Sequence, residues 1–243
     1  MQTLSMYRRR VQHSLAGVML VALAATIQAA SAQEISAPEK LLFQTNHFAN
    51  VTKPTRLSYV YRQEAAAPDA FSDDVSVDVI QHNADGTASV AAQFLTGVHA
   101  VPIPPIDHAQ GNPVLLGFLE RDIAEMKRLT GGATGYFRKR IRLALATPTL
   151  AVQPVEVSYQ GKSVSARQVV IYPYRDDPLK DRFGKFADKG YIFVLSDTVP
   201  GSLYRIYTTL NPAQAAEVID ASMTLAGSGT AGGKQASLGA PPR

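Results

Sequence analysis

The residues best placed to do chemistry lie in one short run, Tyr136-Phe137-Arg138-Lys139-Arg140-Ile141-Arg142. On a strand, alternate side chains share a face, so Tyr136, Arg138, Arg140 and Arg142 would project together with roughly 7 Å between successive arginines. Like charges so placed repel unless water screens them, carboxylates from neighbouring strands pair with them, or an anionic ligand lies across them. The planar donor fork of arginine suits phosphate and carboxylate. The run therefore predicts either a solvated face balanced by Asp and Glu, or a contact for an anionic component such as a lipid head group or an acidic partner.

Other candidate chemistry is thinner. His99, Asp107 and His108 flank a proline-rich loop and form a weak candidate metal set, since imidazoles with a carboxylate can bind zinc; their spacing matches no standard zinc pattern, and the alternative is a pair of surface histidines. Gly161-Lys162-Ser163 has the ending of a phosphate-binding loop, but Glu156 stands where that loop needs a glycine, so a hairpin turn is expected. Asp176, Asp177 and Asp181 lie among Arg175, Lys180 and Arg182, and Pro178 and Leu179 interrupt the alternation a calcium loop requires. No Gly-x-Ser-x-Gly, Ser-x-x-Lys or His-Glu-x-x-His occurs, so the local signatures of common hydrolases are absent. The chain has no cysteine, which excludes disulfides, thiolate catalysis and cysteine-bound metals. No cofactor is implied.

Alternation is the commonest pattern among the elements that must position these residues. Leu57, Tyr59 and Tyr61 share one side of a strand. Val75, Val77 and Val79 share one side of a second, and Ala88, Val90, Ala92 and Phe94 one side of a third. Asn83-Ala84-Asp85-Gly86 joins the latter two as a hairpin. Further strands are expected over 140–145, 155–159, 164–172, 191–195 and 203–209, about eight in all. Asn112-Pro113 reads as a capped helix start, with Leu115, Leu119, Ile123 and Met126 on one face and an end at Gly131-Gly132. Asn211-Pro212 reads as a second, running to about residue 226 with Ile219 and Met223 inward. The expected fold class is α+β: a curved, mainly antiparallel, half-barrel-like sheet with one or two α-helices on its concave face. In outline alone this resembles exported carriers of the lipoprotein-carrier type; no residue motif extends the resemblance.

Residues 1–32 read as a signal peptide: Arg8, Arg9 and Arg10, then an apolar run, then Ala30-Ser31-Ala32 with cleavage after Ala32. The apolar run is shorter than the ~20 residues needed to cross a bilayer. The whole chain carries 24 basic and 20 acidic residues. Removing the three arginines leaves 21 against 20, a net charge of +1, which argues against nucleic-acid binding. Residues 33–226 form one β-rich domain of a size that buries a substantial core. Residues 227–243, rich in Gly, Ala, Ser and Pro, are expected to be a disordered tail.

The sequence thus predicts a soluble periplasmic or secreted protein without a transmembrane segment once the signal is removed. It is expected to be a non-catalytic binding or carrier module for an apolar or anionic envelope component, with Tyr59, Tyr61 and Phe94 as candidate ligand liners beside the arginine row. Two alternatives stay open. One is an accessory or scaffold protein that binds an envelope partner; the other is a hydrolase whose site is dispersed in sequence.

Overall fold

The computed structural model of the protein describes residues 34–64, 70–210 and 218–228. The expected signal peptide, the expected tail from residue 229 and the first residues of the second expected helix, 211–217, lie outside these. A short helix α1 (Ala37–Glu39) runs on as a π-helical turn, Lys40–Gln44. Four strands follow, β1 (Thr55–Gln63), β2 (Phe71–His82), β3 (Ala88–Phe94) and β4 (Ile106–Ala109). After them come two helices, α2 (Pro113–Thr130) and α3 (Thr134–Leu145). The remaining strands are β5 (Gln153–Tyr159), β6 (Lys162–Ile171), β7 (Gly190–Leu195), β8 (Leu203–Leu210) and β9 (Val218–Leu225).

The strands form one sheet of order β4-β3-β2-β1-β9-β8-β7-β6-β5, antiparallel at every junction. Two meanders, β1 to β4 and β5 to β9, are therefore sewn together by the pairing of β1 with β9. The sheet is open, with β4 and β5 at its edges, and strongly curled. Three strand spacings, about 14 Å in a flat sheet, separate β8 from β5, yet the Tyr204 hydroxyl on β8 donates to the Ser158 carbonyl on β5 at 3.0 Å. Three residues beyond β9, Ser228 bridges Tyr159 of β5, a gap of about 19 Å without curvature. Gly227 is tied there too, its carbonyl accepting from the Gln160 amide at 2.7 Å.

In β1 the inward side chains Leu57, Tyr59, Tyr61 and Gln63 alternate with outward ones, as period-two geometry requires. Helix α2 lies against the sheet, touching β2, β3 and β8. Its start is fixed by Asn112, whose side chain accepts from the Val114 amide, and by Pro113; its end is Gly131 in the left-handed conformation, φ 72°. The buried stripe is Leu115, Phe118, Leu119, Ile123 and Met126. Gly117 lets the helix come close, since a Cβ there would lie 2.6 Å from the Phe94 ring. Burying each large side chain along this seam contributes roughly 1.5–3 kcal/mol.

Three local expectations are corrected. Residues 134–145 are helix α3, not a strand: Phe137, Ile141 and Leu145 recur at four-residue spacing and are the positions it buries. Residues 218–225 are strand β9, not the second half of a helix, because the gap between β1 and β8 supplies hydrogen-bond partners on both sides. Among the described residues the sheet has nine strands, the four-residue β4 being too short to show a period. Among the described residues no helix is long and apolar enough to cross a membrane.

Candidate binding pocket and the buried charge network

Helical geometry breaks up the arginine row. Arg138 turns to Glu120 on α2, with Nε and Nη2 at 2.8 and 2.6 Å from its two oxygens. Arg140 turns the other way, its Nε 2.7 Å from the buried Asp177 carboxylate and also donating to the Pro173 carbonyl at 3.1 Å. The Tyr136 hydroxyl donates to the same carboxylate at 2.6 Å, and this bond pushes its pKa above the ordinary tyrosine value. Arg142 is exposed. The four side chains thus do not form one face, and carboxylates occupy two of the three guanidinium groups.

Tyr59, Tyr61 and Phe94 are core residues with about 1% of their surface exposed. The Tyr59 hydroxyl accepts from the Asn112 amide group at 2.8 Å. Tyr61 packs on Phe71, Phe94 and Phe118. Burial raises the pKa of both tyrosines above the usual range. The three candidate metal residues do different things. His108 pairs with Asp85 at 3.1 Å, the His99 ring stacks on Phe71, and the Asp107 carbonyl accepts from Asn83 and Ser89. Among the described residues no group of three or more His, Asp or Glu is placed to hold a metal.

A concavity of about 510 Å³ lies between α2 and the loop joining β3 to β4; its chemistry comes from Gln63, Phe71, His99, Arg121, Glu125 and Arg128. The α2 residues line it because 121, 125 and 128 recur at helical spacing. The loop is built with strain: Leu95, buried, holds φ at 62°, a conformation that costs a non-glycine residue about 1–3 kcal/mol. Asp73 on β2 holds it, accepting from the Thr96 amide at 2.8 Å and the Thr96 hydroxyl at 3.1 Å. The next turn lays the His99 ring on Phe71 with centroids 4.0 Å apart and planes 7° from parallel.

Charge in the pocket is uneven. Glu125 takes a two-point contact from Arg128, at 3.0 and 2.5 Å, and a longer one from Arg121 at 3.4 Å. The Arg128 bonds hold its carboxyl below the usual glutamate range despite partial burial. One carboxylate thus serves two guanidinium groups. The Arg121 Nε atom is buried and has no hydrogen-bond partner among the described residues, although a buried donor is ordinarily satisfied. Gln63 adds a donor of fixed orientation: its Oε1 accepts from Tyr61 at 2.9 Å, and its Nε2 donates to the Asp220 carbonyl at 2.9 Å.

Behind Gln63 sits a charge network with no counterpart in the sequence expectations. Lys189, wholly buried, places Nζ 2.6 Å from both Asp122 Oδ1 on α2 and Asp220 Oδ2 on β9. The Tyr191 hydroxyl donates to Asp122 Oδ2 at 2.6 Å and meets the Tyr174 hydroxyl at 2.9 Å. Burial alone would lower the lysine pKa, but the two carboxylates more than offset it and raise it above the ordinary value. Burial and then Asp122 push Tyr191 well up, so it stays a donor. The chain matches no protein-family model and no curated protein. Function is therefore read from the site itself.

A second concavity, about 590 Å³ and more apolar, runs beside β4 and the start of α2, between Phe43, Ile103, Pro104, Leu115 and Leu116. Phe43 and Leu116 are exposed along it.

Proposed function

We propose that the protein is an exported, non-catalytic binding module whose pocket between α2 and the β3–β4 loop takes a small anion, a carboxylate or phosphate borne on a planar or apolar group. The observation that carries this reading is the buried, unpartnered Arg121 Nε at the pocket wall. Arg128 adds positive charge at the pocket wall, and the stacked Phe71 and His99 rings supply a flat apolar surface. An anion there would satisfy the orphan Arg121 donor. The anion-binding role thus moves from the arginine row of α3 to the arginines of α2. In this reading residues 1–32 direct export and are removed, and the mature chain starts at Gln33 in the periplasm or outside the cell.

The test is titration with phenyl phosphate and benzoate, with benzyl alcohol as the uncharged comparison, followed by heat release or ligand-observed NMR. Charge-assisted hydrogen bonds contribute about 1.5–3 kcal/mol, so Arg121→Gln should weaken binding of the anions by roughly tenfold or more. Binding of the alcohol as tightly as the anions, or an unchanged affinity in the variant, would sink the reading. For export, amino-terminal sequencing of protein from the periplasmic fraction should begin at Gln33, and an intact Met1 there would refute it.

A second reading, an accessory protein docking an envelope partner, is favoured by the apolar groove beside β4. Exposed phenylalanine and leucine along a groove of that size are the kind of surface a partner covers. Cross-linking to one reproducible partner, abolished by Leu116→Asp and retained in Arg121→Gln, would select it over the first.

A further inference from the structure

We propose that Lys189 and Asp122 become joined by an autocatalytic intramolecular amide bond, with Asp220 moving the proton, so that α2 is covalently tied to the start of β7. The observations are the geometry and dryness of the trio. Lys189 has no exposed surface and Asp122 has 3%, and Nζ lies at hydrogen-bond distance, 2.6 Å, from Asp122 Oδ1. The Asp122 carboxyl group is therefore held beside the amine by the fold. Amide formation expels water, and an interior without bulk water favours that direction.

The proton inventory allows the reaction without outside help. An ammonium with two carboxylates holds the same number of protons as an amine, one carboxylic acid and one carboxylate. Transfer of a single proton from Lys189 to Asp122 therefore produces the reactive pair; the two carboxylates favour the charged lysine, so this pair is a minor species that the irreversible loss of water draws off. The neutral Nζ then attacks Asp122 Cγ. Asp220 Oδ2, also 2.6 Å from Nζ, accepts the proton that the nitrogen sheds and delivers it to the departing oxygen of Asp122. The Nζ–Cγ bond forms, the Cγ–O bond breaks and one water leaves; nothing is oxidised or reduced.

The surroundings assign the roles. Asp122 Oδ2 receives the Tyr191 hydroxyl at 2.6 Å, a donor aimed at the oxygen that gains charge in the tetrahedral intermediate, and Tyr174 backs it at 2.9 Å. Among the described residues Asp220 has no tyrosine donor; it has Thr208 at 3.5 Å and keeps a slightly larger exposed fraction, 10% of its side chain. It is the carboxylate placed to act as base.

The experiment is the intact mass of the folded, then denatured, wild-type chain, followed by tryptic mapping. The expected mass is one water, about 18 Da, below that of the same chain unjoined. Residues 122–127 should appear linked to residues 186–205, with no cleavage after Lys189. A chain of full mass, with Lys189 open to trypsin, overturns the proposal. So does a water loss that maps to an unjoined peptide, such as a succinimide at Asp85-Gly86. Asp220→Asn should carry the full mass and Asp220→Glu should recover the link; a joined Asp220→Asn chain would refute the role given to Asp220.

Discussion

The backbone amide of Asn112 donates to Nδ1 of His47 at 3.0 Å, and Nε2 of the same ring faces the Leu41 carbonyl at 2.9 Å. An amide cannot accept, so Nδ1 must be bare and the proton must sit on Nε2. The neutral ring thereby ties the π-helical turn to the cap of α2. Burial holds its pKa below the ordinary value, with the Leu41 bond opposing in part.

Stability should therefore depend on pH with a definite sign. A histidine whose pKa is depressed on folding contributes stability that is complete above the unfolded value, about 6.5, and is lost as pH falls through the folded value. Urea unfolding between pH 7 and pH 5 should show a decline of up to about 1.4 kcal/mol per pH unit from this ring. His47→Gln should flatten that part of the slope; an unchanged slope in the variant would exclude His47 as its source.

Gly117 offers a test of packing against propensity. Alanine is the better helix former by about 1 kcal/mol, yet its methyl would meet the buried Phe94 ring at 2.6 Å and Ile103 at 3.1 Å. Overpacking of this kind costs about 1–3 kcal/mol. Gly117→Ala should lower the thermal midpoint, and a rise would show that Phe94 yields freely.

Lys189→Met should cost about 3–5 kcal/mol, because it leaves two carboxylates buried with no cation. Two like charges brought together out of water repel each other. Denaturant titrations should accordingly find the variant's deficit smaller at pH 5 than at pH 8. A deficit that does not vary with pH would mean that Asp122 and Asp220 are reached by water once the lysine is gone.

Asp73→Ala releases Thr96 and the strained Leu95 turn that carries His99. The exposed hydrogen bonds lost are worth about 1 kcal/mol of stability. Phenyl phosphate affinity should fall further than inorganic phosphate affinity, since the stacked ring surface is what loosens. Equal losses for both, measured by the same titration, would place the stacking outside the ligand contact.

The sheet was legible where one face is wet. Leu57, Tyr59 and Tyr61 alternate with Ser58 and Arg62, and the period follows the burial. Helix α2 was legible through its caps at Asn112, Pro113 and Gly131. Helix α3 was misread because its arginines alternate while its buried positions, Phe137, Ile141 and Leu145, follow the helical period; the charged residues drew the period and the apolar ones decided the structure. Strand β9 was misread because Ile219 and Met223 are spaced like a helix face. Its partners, β1 and β8, include one more than 150 residues away, and no local pattern records such a pairing.

The buried network is partly written in the sequence. Asp122 falls on the apolar stripe of α2, between Leu119 and Met126, and an acid there needs a buried partner. Lys189 precedes the uniformly apolar run of β7, but which of the cations would meet Asp122 depends on how the helix lies across the sheet. The pocket was less accessible still, because Gln63, His99 and Arg121 come from three separate elements that only the curled sheet brings together.

The pairing of β1 with the last strand also bears on the order of assembly. A chain made from its amino end can zip β1 to β4 early, but one long edge of β1 stays bare until residues 218–225 have been synthesised. The acid that completes the lysine trio, Asp220, arrives with them. Nascent chains short of that point lack both the closing strand and the second carboxylate of the centre, so the finished body waits on the last strand to be made.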